Sequence, residues 1–125
     1  VKQTVHTDQA PKAIGPYSQA IKADPFVFTA GQIAIDPATG SLVKGDVAVQ
    51  TKQVLENLKA VVEAAGTTLS NAVKVTVYLT RTEHFKPMNE TYAQYFTREP
   101  PARTTVFIST LPMSALVEID VVAQL

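Results

Sequence analysis

Two charged side chains stand in stretches that otherwise read as apolar strands. Arg103 follows Pro100-Pro101-Ala102 and precedes Thr104-Thr105-Val106-Phe107, so a stiff approach aims a guanidinium from the start of a strand. Glu118 alternates with Val117 and Ile119 in the run Leu116 to Val122. An apolar strand has no structural use for either charge. The two runs follow one another and predict neighbouring strands. There a fork of donors could hold a small acid while the carboxylate activates a water beside it. The same two groups could instead form an ion pair at the sheet end, and spacing alone leaves both readings open.

Other chemistry-bearing residues are fewer. Tyr17 follows Gly15-Pro16 in a shaped loop from Ala10 to Ala20. Its phenol either stands over a pocket or caps a core edge. Gly31 interrupts an apolar run that continues as Gln32-Ile33-Ala34-Ile35, the pattern of a bulge or of a backbone approached closely. Asn89 is the polar exception beside an aromatic stripe and either supports a site or faces water. His6 and His84 have no ligand partner at helical or hairpin spacing, so no metal site is expected. No Gly-rich phosphate loop and no nucleophile-elbow motif is present. Thr104 and Thr105 have no activating base in view.

The elements that must position these residues follow from periodicity. Ala20 to Ala23 and Pro25 to Ala30 read as short strands, the second continuing past Gly31. Asp46 is an N-cap for a helix over Val47 to Ala65, with Gly66 as its C′ residue. Val47, Val54, Leu55, Leu58, Val61, Val62 and Ala65 form its buried stripe. Gln50, Lys52, Gln53, Glu56, Asn57, Lys59 and Glu63 are expected mainly on the other side. Val73 to Leu79 alternates with period two and predicts a strand. A second helix is expected over Glu83 to Phe96, capped by Thr80 or Thr82. Pro87 is tolerable near its first turn. Phe85, Met88, Tyr92 and Phe96 mark its packed side. The order predicts one α+β domain over 1–125 with six strands and two helices on one sheet face. The other face stays partly apolar, which predicts self-association.

Composition narrows the function. The 125 residues include 11 Lys plus Arg and 11 Asp plus Glu, so no net field attracts nucleic acid or anionic lipid. No apolar run is long enough to span a bilayer. Val1 to Thr4 has no apolar core behind it, so no signal peptide is expected. The absence of cysteine removes thiol catalysis and thiolate metal sites. A cytoplasmic protein, or the mature form of an organelle-matrix protein, fits this composition.

Taken together, Ile14-Gly15-Pro16-Tyr17-Ser18-Gln19-Ala20, Ala30-Gly31-Gln32-Ile33, Val73 to Leu79, Met88-Asn89-Glu90-Thr91-Tyr92, Pro101-Ala102-Arg103 and Val117-Glu118-Ile119 resemble the RidA/YjgF-like reactive-intermediate (enamine/imine) deaminases. The resemblance covers nearly the whole chain. It implies a chorismate-mutase-like (bacillus-type) fold with a mixed six-stranded sheet. It also implies a homotrimer with clefts between subunits. The implied activity is hydrolysis of 2-aminoacrylate, 2-iminopropanoate and 2-iminobutanoate to 2-oxo acids and ammonia, with no cofactor and no metal. By resemblance, Arg103 binds the substrate carboxylate and Glu118 positions the water. Tyr17 and Gly31 line the cleft, Asn89 supports it, and the Thr105 backbone N–H meets the carboxylate. Thr105 stands where family archetypes carry cysteine, and Ala30 where they carry serine. Both departures bear on subfamily and substrate range. A non-catalytic trimer that binds 2-oxo or amino acids is the rival reading, because fold does not fix function.

Overall fold

A computed structural model describes all 125 residues. The alternating run predicted as a strand forms β4 (Ala72–Leu79), whose Val75, Val77 and Leu79 are buried while Lys74, Thr76 and Tyr78 face the other way. β6 (Val117–Gln124) runs antiparallel to it and buries Val117, Ile119, Val121 and Ala123. β1 (Gln3–Val5), β2 (Ala20–Ala23) and β3 (Phe26–Thr29) extend the sheet beyond β6, and β5 (Ala102–Phe107) closes its other edge. The order across the sheet is β1-β2-β3-β6-β4-β5. Only β4 and β5 are parallel, which requires the crossover that carries α2 (Phe85–Ala93).

The first helix, α1 (Val47–Ala64), ends one residue short of the predicted range. The Asp46 carboxylate accepts from the Val49 amide at 3.0 Å, and Gly66 supplies the positive φ of +98° that closes the helix. Val54, Leu55, Leu58, Val61 and Val62 are fully buried against the sheet. Each stabilises the fold by about 2 kcal/mol. Two residues expected on the solvent side are buried instead. Gln50 accepts from the Leu116 amide at 2.9 Å, and Asn57 donates to the carbonyls of Ile33 and Ile35 at 3.3 and 2.9 Å. Their hydrogen-bonding capacity outweighs their polarity, because the backbone groups they satisfy lie outside the six strands.

The second helix is shorter than predicted. A turn of 3-10 helix at Thr82–His84 precedes α2, and neither Thr80 nor Thr82 caps it with a side chain. Pro87 is the third residue of α2, where its missing N–H has no intrahelical role.

β3 stops at Thr29 rather than running on to Ile35. Phe28 pairs with Val122, but the next pairing is Gln32 with Ile119, so four steps on one strand oppose three on the other. The extra residue is a bulge around Ala30-Gly31. The Thr29 hydroxyl fills the broken ladder by accepting from the Val121 amide at 2.9 Å.

Both helices lie on one face of the sheet. The opposite face carries Phe28, Val122, Asp120, Glu118, Lys74, Thr76 and Tyr78 with no covering layer. Tyr78 donates to Asp120 there at 3.3 Å, and Lys74 donates to Thr104 at 2.7 Å. No helix of the chain is long and apolar enough to cross a membrane.

Candidate active site: two half-sites on opposite faces

β4 lies between the strands of Arg103 and Glu118, so the expectation that they occupy neighbouring strands is not met. The register also separates them by face. Arg103 pairs with Val75, which points to the helices, whereas Glu118 pairs with Tyr78, which points away. A period of two in a strand makes these opposite sides of the sheet. The ion-pair reading therefore fails as well. The chain's salt bridges are His6–Asp8 and Arg81–Glu83, both exposed, and no carboxylate neutralises Arg103.

On the open face, Glu118 lies over Gly31 and looks into a cavity of about 230 Å³ lined by Ile14, Tyr17, Ile33, Ile35 and Pro112. The bulge brings Gly31 so close that a β-carbon there would overlap the Glu118 carboxylate and stand 2.9 Å from its Cδ. Steric room, not a left-handed backbone, requires glycine at this position. Tyr17 is half-exposed and its hydroxyl accepts from the Ile14 amide at 3.3 Å, so it belongs to the cavity rim and not to a core edge.

A buried glutamine holds this loop. Gln19 accepts from the Thr7 amide at 2.7 Å and donates to the Pro11 carbonyl at 2.8 Å and the Thr7 carbonyl at 3.0 Å. Asn57 fixes the opposite wall through Ile33 and Ile35. Sequence reasoning assigned neither role. The only available signal was a lone amide beside each apolar segment.

Burial raises the pKa of Glu118 above its ordinary value, and the charge of Asp120 two residues away adds to the effect. Burial likewise raises Asp120, against the lowering effects of Tyr78, Lys74 and Thr76. Arg103 has no part in either shift. Because β4 separates Arg103 from Glu118, burial acts on the carboxylate with no opposing cation beside it.

On the helix face, Arg103 donates from Nη1 to Asn89 Oδ1 at 2.7 Å. Its guanidinium carbon stands 4.7 Å from the Tyr92 ring centre and 5.7 Å from that of Phe85. Asn89 thus faces water and at the same time holds the arginine. Thr105 shares the Arg103 face two residues along β5. The guanidinium's remaining donors make no hydrogen bond within the chain. A cation held by an amide and two rings, with donors to spare, has the chemistry to bind an anion. A carboxylate of raised pKa in a small, largely apolar cavity has the chemistry to exchange a proton.

The larger hollow of about 470 Å³ beside α1, lined by Gln53, Glu56, Asn57 and Lys59, has no comparable convergence. Its buried amide, Asn57, already serves the loop carbonyls. No three His, Cys, Asp or Glu side chains gather where they could hold a metal ion.

These features define a small α+β protein whose unpaired arginine and buried carboxylate lie on opposite faces of one sheet. The chain belongs to the YjgF/RidA family: the profile described as Endoribonuclease L-PSP matches residues 7–125. It is 56% identical over 123 residues to a RutC family protein of Pyrococcus horikoshii, covering 98% of each chain. It is 42% identical over 123 residues to the human 2-iminobutanoate/2-iminopropanoate deaminase, covering 98% of this chain and 90% of that one. Among solved structures it is similar to RidA from an Antarctic Psychrobacter, with a TM-score of 0.95 and 41% identity over 98% of this chain and 99% of that one. It is also similar to Escherichia coli TdcF with bound serine, with a TM-score of 0.93 and 38% identity over 98% of each chain.

Proposed function

We propose that the chain hydrolyses reactive 2-imino acids, of the 2-iminopropanoate and 2-iminobutanoate kind, to 2-oxo acids and ammonia. The single observation that carries this reading is the split itself. Arg103 has spare anion-binding donors and Glu118 has raised basicity, yet one chain cannot bring them together. Each half-site is completed if the open sheet face packs against another copy, so that Arg103 of one copy faces the Glu118 cavity of the next. Phe28, exposed on that face, and its paired Val122 supply apolar surface for such packing. Closure as a ring of three is inferred from kinship.

In this arrangement Arg103 binds the substrate carboxylate in a fork, with Asn89 holding the guanidinium plane and the Thr105 backbone N–H as a further donor. Acting on the iminium form, Glu118 takes a proton from water as the water oxygen bonds to the C=N carbon, giving a neutral carbinolamine. The carboxyl returns that proton to nitrogen, and as the C–N bond breaks and ammonia leaves the carboxylate takes the hydroxyl proton, so that the 2-oxo acid forms. A basicity raised toward neutrality suits both transfers. Tyr17, Ile14, Ile33 and Ile35 enclose a short alkyl side chain, and about 230 Å³ fits a substrate of a few carbons rather than a drug-sized one. The human relative's name supports this substrate class.

A non-catalytic binder of small acids is the second reading, favoured by the serine bound to the Escherichia coli relative. Glu118 weighs against it, because a receptor for a carboxylate gains nothing from a second, desolvated carboxylate. RNA cleavage, which the family's description names, has no basic stripe to support it here.

The test generates 2-iminobutanoate and 2-iminopropanoate with an amino-acid oxidase and traps residual imine with semicarbazide. Less trapped imine with wild type, and no effect with Arg103→Ala, is the expected result. Wild type indistinguishable from a blank, with fold and assembly intact, would transfer the assignment to small-acid binding.

A further inference from the structure

Tyr92 is nearly fully buried, and its ring packs on Phe96 with centroids 4.5 Å apart. That alone describes a core residue. Its hydroxyl does not fit the description, since it is sealed from solvent and has no hydrogen-bond partner. A buried hydroxyl without a partner loses its hydration for nothing, and phenylalanine would fill the same space without that loss. The one polar group stacked on this ring is the Arg103 guanidinium, 4.7 Å from the ring centre. The cation and the hydroxyl also sense each other: Arg103, by its charge and by a side-chain approach that stops short of hydrogen-bond geometry, offsets part of the rise that burial imposes on the Tyr92 phenol. Being sealed, the hydroxyl cannot touch a ligand, so it acts only through the arginine.

We propose that Tyr92 is the positioning residue of Arg103: its ring face fixes the guanidinium plane, and its hydroxyl accepts an Arg103 N–H when the guanidinium turns toward a bound carboxylate. Without ligand, Asn89 Oδ1 holds one N–H at 2.7 Å and the phenol waits unpaired. With ligand, a carboxylate takes the outward edge of the fork, and the inward N–H is left to the phenol. The existing approach of guanidinium and phenol thus becomes a full hydrogen bond in the bound state and lends its strength to affinity. Chemistry at Glu118, which the neighbouring copy supplies to this site, is untouched. The inference rests on the reading of Arg103 as the carboxylate anchor.

The test is Tyr92→Phe, alone and in an Arg103→Lys background, with steady-state deamination, 2-oxobutanoate affinity by calorimetry, and melting temperature. The single variant should raise KM and the 2-oxobutanoate Kd about fivefold, the worth of one net hydrogen bond. Its kcat should stay at the wild-type value and its Tm should be unchanged or higher, since an unpaired hydroxyl has been removed. A merely structural tyrosine would lower Tm and leave KM alone. In the lysine background, which lacks the planar fork, Tyr92→Phe should add nothing. Wild-type KM and Kd in Tyr92→Phe overturn the inference while the deaminase reading stands. If wild type binds 2-oxobutanoate without turning over imines and Tyr92→Phe still weakens that binding, the deaminase reading falls and the inference holds. No 2-oxobutanoate binding by wild type overturns both.

Discussion

A methyl group added at Gly31 would test the Glu118 cavity directly. A β-carbon there overlaps the Glu118 carboxylate and stands 2.9 Å from Cδ and 3.2 Å from Cγ. All three contacts belong to one side chain, whose end can swing into the open cavity. The backbone need not move, and the φ of Gly31 is not one that only glycine adopts. Gly31→Ala should therefore cost about 1 kcal/mol, the low end for overpacking, and lower Tm by a few degrees. The carboxylate, however, must leave the position from which it reaches the water. A displacement of about 1 Å is worth roughly 100-fold in rate, and full loss of a general base is worth about 100- to 10,000-fold. We expect kcat in the imine-trapping assay to fall at least 100-fold with KM nearly unchanged, because the Arg103 half-site is untouched. Wild-type kcat in a folded Gly31→Ala protein would refute the role of Glu118 in this conformation. Failure to fold would refute the claim that the contact is soft.

The same geometry yields three further predictions. If each site joins Arg103 of one copy to Glu118 of another, inactive Arg103→Ala and Glu118→Gln proteins, unfolded and refolded together in equal amounts, should recover about a quarter of wild-type activity. That is the chance that one interface draws both intact halves, and no recovery in assemblies shown to be mixed would place the two residues in one copy. The acid limb of the kcat/KM profile should lie above the ordinary glutamate value of 4.5, because Glu118 must be ionised to act and its pKa is raised. Asp120→Asn removes the second cause of that rise, so the limb should move to lower pH, and a limb that stays or moves up would contradict the assignment. Stability shares the sign. With Glu118 and Asp120 both raised, the folded chain holds more protons than the unfolded one above their ordinary values of 4.5 and 3.8. Stability therefore falls as pH rises through that window, and Asp120→Asn should flatten the fall in Tm measured across it.

The order of strands and helices, the α1 cap at Asp46 and the stop at Gly66 were legible because each is local: a period, a cap or a turn resides in adjacent residues. So was the list of residues that could do chemistry, since an arginine or glutamate in an apolar strand stands out by type alone. The buried roles of Gln19, Gln50 and Asn57 were not legible. Each satisfies backbone groups far away in sequence, and an amide on a helix reads as solvent-facing until its partner is known. The relation between Arg103 and Glu118 was equally hidden. Alternation tells which residues of a strand share a face, but not which face meets the helices or which strand lies alongside. Consecutive strands suggested neighbours, yet the parallel β4–β5 crossover leaves β6 to pair with the other edge of β4. That choice belongs to the packing of helices on one side of the sheet. It divides a pair that looked like one site in the sequence into two half-sites on opposite faces.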